Sequence, residues 1–131
     1  MSEQSTKEVK PVTTKLKAVP VVILVKEDLE LITAPGRAVV RPIQDEEVEW
    51  YAAGVKAKLT VRFDKGDGSP FLETAFEIGR GGTRSGPALV DSGVFRYSIT
   101  AVLEGGKELS IDPEVEVDGG GRTDPNQYPD G

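Results

Sequence analysis

Val94-Phe95-Arg96-Tyr97-Ser98-Ile99-Thr100-Ala101-Val102-Leu103, followed by Glu104-Gly105-Gly106-Lys107-Glu108-Leu109-Ser110-Ile111-Asp112-Pro113-Glu114-Val115-Glu116-Val117-Asp118, is the stretch that decides the fold. Phe95, Tyr97, Ile99, Ala101 and Leu103 fall on one side of extended backbone, with Arg96, Ser98 and Thr100 on the other. Successive side chains of a strand point to opposite faces, so this period of two predicts a half-buried strand. Glu104-Gly105-Gly106-Lys107 supplies a turn, because glycine reaches positive φ without a Cβ clash. Two further alternating pieces, 108–111 and 115–118, complete an expected β-meander that closes a β-sheet domain.

Upstream, Val19-Pro20-Val21-Val22-Ile23-Leu24-Val25 is a continuous β-branched run, as expected of a strand covered on both faces. Leu29 and Leu31 either extend that strand or pair with it, and Ala34-Pro35-Gly36 reads as a turn. Residues 37–43 are strand-like, closed by Pro42 and the acidic Gln44-Asp45-Glu46-Glu47. Val48 and Trp50 then alternate with Glu47 and Glu49, giving an apolar inner face. Leu59, Val61 and Phe63 alternate with Lys58, Thr60 and Arg62, and Thr74, Phe76 and Ile78 share a side. Segments 64–70 and 80–87 read as glycine-rich loops, and Asp91-Ser92-Gly93 as a turn. About seven to nine short strands with turns every 8–12 residues or so predict an all-β, Greek-key β-sandwich. The expected domain spans 19–118. Residues 1–18 are too polar to offset ordering entropy and are expected to form a disordered arm, as is the Gly/Pro/Asp-rich tail 119–131.

The chain has 131 residues, one domain's worth, and a formal charge of −6 that is unevenly spread. Its C-terminal third is strongly acidic, which argues against a nucleic-acid partner, since that affinity is carried by Lys and Arg contacts to phosphate. There is no Cys and no His. That removes disulfides, most transition-metal chemistry and the commonest general base. The longest apolar run, 19–25, contains Pro20 and is far short of the roughly 20 residues a bilayer span needs. No cleavage site follows it, so the chain as given reads as soluble, cytoplasmic and monomeric, without membrane, cofactor or metal.

Three pieces carry a family likeness: Val40-Arg41-Pro42-Ile43 with the segment 45–50 ending in Val48-Glu49-Trp50; residues 61–71; and Phe95-Arg96-Tyr97 through Asp112-Pro113-Glu114-Val115-Glu116-Val117. Together they resemble the cupredoxin-like sandwiches, in particular small bacterial members of unassigned role. An immunoglobulin-like sandwich shares much of the pattern. Copper cupredoxins hold their metal with two His, a Cys and usually a Met. Here the corresponding stretch reads Ala101-Val102-Leu103-Glu104-Gly105-Gly106-Lys107, and the only Met is Met1. The resemblance therefore implies the fold and not copper electron transfer.

Several motifs suggest chemistry. Leu89-Val90-Asp91-Ser92-Gly93 is similar to the signature of retroviral-type aspartic proteases, which would work as a homodimer sharing a proton between two copies of Asp91. Only 40 residues follow Asp91, and Val115-Glu116-Val117-Asp118-Gly119 puts charges where the partner element needs a dry core, so an Asx turn explains the motif better. Asp64-Lys65-Gly66-Asp67-Gly68-Ser69 departs from an EF-hand loop at four of five diagnostic positions, with Gly66, Gly68, Ser69 and Ala75 where the third, fifth, sixth and twelfth residues would stand. What remains is a weak calcium site from Asp64, Asp67 and Glu73. Arg80-Gly81-Gly82-Thr83-Arg84-Ser85-Gly86 has glycines and cations but no Gly-Lys-Ser/Thr ending. The expectation is a non-enzymatic binding or structural module for an unknown protein or small molecule, recognising it through loops 64–70 and 80–87. Arg80, Arg84, Asp64 and Asp67 are its candidate binding residues.

Overall fold

The structure, a computed structural model, describes residues 16–63, 68–79 and 81–119. The chain is all-β. Its strands are β1 Lys17–Val25, β2 Leu31–Ala34, β3 Arg37–Val40, β4 Glu46–Gly54, β5 Ala57–Arg62, β6 Ala75–Glu77, β7 Thr83–Arg84, β8 Gly93–Arg96, β9 Ser98–Leu103, β10 Glu108–Ile111 and β11 Glu114–Val117. A 3-10 turn, Pro42–Gln44, cuts short the strand expected over 37–43. β1 starts inside the arm expected at 1–18; the rest of that arm, to residue 15, and the tail from 120 lie outside the described residues.

Among the described residues three sheets form, ordered β2-β1-β4-β7, β10-β9-β5-β6 and β3-β11-β8. The stretch 93–117 is one long hairpin that serves two of them. Val102 pairs with Glu108 and Ile99 with Ile111 in the second sheet; in the same register, Arg96 pairs with Glu114 and Gly93 with Val117 in the third. The break falls at Tyr97 and Pro113. Tyr97 donates its N–H to the Pro113 carbonyl at 3.0 Å, but Pro113 has no N–H to return, so the ladder is interrupted and the hairpin turns from one sheet into the other. This corrects the expected meander: β11 leaves β10 and lies between β8 and, in parallel, β3. The split also raises the strand count from the expected seven to nine to eleven among the described residues.

β1 pairs in parallel with β4 over nine residues, and antiparallel with β2 over Val22–Val25 only. Pro20 is tolerated because β1 has no ladder on its other flank there. Leu29 sits in the β1–β2 turn at φ 66, so β2 pairs with β1 and does not extend it. On one side the Thr83 hydroxyl ties β7 to β6, donating to the Glu77 carbonyl at 3.0 Å and accepting the Gly79 N–H at 2.9 Å. On the other, β2 lies against β10.

The inward side chains of the three sheets make one core, including Val21, Ile23, Val48, Trp50, Val61, Phe63, Ile99, Val115 and Val117. Trp50, fully buried, is its centre. Its ring lies 5.0 Å from Phe76, 6.0 Å from Tyr97, 6.3 Å from Phe63 and 6.4 Å from Phe71, all tilted or edge-on as aromatic quadrupoles prefer. The indole Nε1–H donates to the Tyr97 hydroxyl at 3.1 Å, so the one polar atom of the Trp is satisfied in a dry setting. Burial pushes the Tyr97 phenol up to about 12, keeping it neutral. The acidic run toward the C-terminus is in part a cross-strand ion-pair row. Arg37 meets Glu114 at 2.7 Å and Glu116 at 3.5 Å, and Arg41 meets Asp118 at 3.8 Å.

Candidate functional site

Of the four candidate binding residues, Asp64, Asp67 and Arg80 lie outside the described residues, and Arg84 is not in a loop. It belongs to β7, where it pairs with Glu49 of β4. Its guanidinium reaches Glu47 Oε2 at 2.6 Å and Glu49 Oε1 at 3.6 Å, and also donates to the Leu16 carbonyl at 3.3 Å. Glu49 in turn accepts the Tyr51 hydroxyl at 2.7 Å, and Glu47 accepts the Gly86 N–H at 2.9 Å. Alternation puts Glu47 and Glu49 on the outer face, but that face is covered, leaving them only 5% and 8% exposed. Buried carboxylates need a partner cation and hydrogen bonds, and Arg84 with its neighbours supplies both. The same contacts raise the Arg84 guanidinium, chiefly through the Glu47 hydrogen bond, and the Tyr51 phenol, chiefly through Glu49. This cluster fastens the 82–86 segment to β4. Ser85 completes it, accepting the Val48 N–H at 3.0 Å and donating to the Gly86 carbonyl at 2.8 Å.

Asp91 is exposed in a run of bends ahead of β8. Glu73 is exposed as well, its carbonyl accepting the Ser69 hydroxyl at 2.7 Å. Leu89, two residues past the second expected recognition loop, donates its N–H to the Pro70 carbonyl of the first at 2.7 Å. Among the described residues no group of three carboxylates is placed to hold a metal ion, and no helix is long and apolar enough to cross a membrane.

The other end of the molecule carries concave surface. Here β1 ends opposite Gly54, and β5 starts opposite the end of β9. Three hollows open around the β4–β5 turn, with volumes of about 460, 380 and 320 Å³. Lys56 lines all three. Val55 and Ala57 each line two, and Leu103 with Glu104 from the β9–β10 turn lines two. Leu29, Leu59 and Ile78 add aliphatic wall, and Lys58 and Lys107 stand on the rim. Val55 is held by its N–H, which donates to the Val25 carbonyl at 2.8 Å, so the turn is anchored to β1. Lys26, Arg37, Arg41 and Arg84 are ion-paired, and Arg62 and Arg96 have partners. Lys17, Lys56, Lys58 and Lys107 make no ion pair with another described residue, and the last three line the hollows.

Sequence reasoning missed this group because its members come from three turns, at 29, 55–58 and 103–107, with no motif in any one of them. The available signal was charge: lysines in turns of an acidic chain, flanked by aliphatic residues and not by acids alone. No protein-family model, no curated protein and no solved structure matches the chain.

Proposed function

We propose that the chain is a non-enzymatic binding module on a cupredoxin-like sandwich without a copper site, acting as a monomer. It recognises its ligand at the end carrying Val55, Lys56, Leu103 and Lys107. The observation that carries this reading is the convergence of three hollows on Lys56, each within the roughly 300–1,000 Å³ typical of small-molecule sites. The absence of His and Cys from the sequence supports a binding role over catalysis. The recognition end differs from the loops expected at 64–70 and 80–87, because Arg84 is already engaged by two carboxylates. A small-fragment library, screened by amide chemical-shift changes on the labelled chain, tests the reading. Hits are expected to concentrate on the amides of 55–58 and 103–107. Hits gathered instead around 68–73 and 85–90, or peptide cleavage at acid pH that Asp91→Asn abolishes, would replace it.

A further inference from the structure

Resting on that reading, we infer that the ligand is a small amphiphilic carboxylate: an aliphatic body lying over Val55, Leu103 and Leu29, with its anionic head between Lys56 and Lys107. Three features of the lining select this class. Lys56, Lys58 and Lys107 line the hollows with one carboxylate, Glu104, so the lining is net positive although the whole chain is −6. A cationic ligand would meet like charge there. The cations are all lysines, compact point charges that attract a small anionic head without the planar fork by which arginine holds two oxygens at once. The walls are aliphatic, with Val55, Leu29, Leu59, Leu103 and Ile78 and no aromatic ring, so they suit a saturated chain and offer no stacking platform for a base.

The arrangement of charge also assigns a role to Glu104. It lines the same two hollows as Leu103, on the turn that carries Lys107. A second negative charge on the ligand would approach it, so the site favours monoanions over dianions.

The test is a titration of the isotopically labelled full chain, followed by amide shifts, with three probes: sodium octanoate, octylammonium chloride and sodium acetate. Octanoate is expected to move the amides of Val55, Lys56, Leu103 and Lys107 in a saturable way, with acetate at least tenfold weaker because it lacks the aliphatic body. Charge reversal by Lys56→Glu or Lys107→Glu is expected to weaken octanoate at least tenfold. Lys56→Arg, which keeps the charge, is expected to retain most of the affinity, and the dispersed amide spectrum of each variant reports that it is folded. Octanoate shifts that survive both charge reversals overturn the inference. If octylammonium moves these amides and octanoate does not, the recognition end stands and the carboxylate assignment falls. If neither moves them, both readings fall.

Discussion

Trp50→Ala is expected to lower stability by about 3–5 kcal/mol, the range found when a large aromatic side chain is removed from a core that cannot collapse onto the space. Trp50 is fully buried and touches rings from β6, the 68–73 segment, the residue after β5, and Tyr97 at the bend of the long hairpin. Its removal therefore loosens every sheet at once. It also leaves the Tyr97 hydroxyl without the indole donor 3.1 Å away. Trp50→Phe fills much of the volume but still loses that hydrogen bond, so a smaller loss of about 1–3 kcal/mol follows. Thermal or urea unfolding orders the three proteins. A Trp50→Ala midpoint equal to that of the native chain would mean that the ring is not central to the core.

Gly54→Ala is the second large effect. Gly54 closes the β1–β4 ladder opposite Val25, at φ 87, a left-handed conformation that costs a residue with a Cβ about 1–2 kcal/mol. A Cβ there would also run into the Val25 carbonyl oxygen and come within 2.7 Å of Leu24 Cδ1. Displacing backbone in a packed ladder adds about 1–3 kcal/mol. Gly105 isolates the two contributions, since its φ is 94 yet nothing lies within 4 Å of its Cβ direction. Gly105→Ala is expected to show only the conformational part, and Gly54→Ala distinctly more in the same unfolding assay. Equal losses would show that the close approach to Val25 is absent. Because Val55 follows directly, Gly54→Ala should also disturb the turn that presents Lys56.

Alternation made most of the sheet legible in the sequence. Leu59 with Val61 and Phe63, and Ile99 with Ala101 and Leu103, face inward as their period of two requires, whereas the run 19–25, expected to be covered on both faces, buries Val21, Ile23 and Val25 and leaves Val22 exposed on the other face. What alternation leaves open is which strand lies beside which. Ser98–Leu103 and Glu108–Ile111 form the expected hairpin, yet the partners of Glu114–Val117 depend on the ladder failing at Pro113, an effect of one missing N–H in an otherwise regular run. The same limit hid the covering of Glu47 and Glu49. Their parity correctly puts them outside the core, but only tertiary structure brings Arg84, 37 residues beyond Glu47, over that face. Arg84 looked like a cation on a glycine loop because the carboxylates that engage it are remote in sequence. The candidate site was least legible of all, since Leu29, Lys56 and Lys107 come together only when β1, β4 and β9 end at the same level.

The central claim is that 93–117 is a single hairpin kept in register while it passes from one sheet to another at Tyr97, packing that ring against Trp50. Proton–proton NOE contacts across the strands test it most directly. The account predicts contacts between Ala101 and Leu109, between Phe95 and Val115, and between the rings of Tyr97 and Trp50. A regular antiparallel ladder between Glu108–Ile111 and Glu114–Val117, with no contact from Phe95 to Val115, would contradict it.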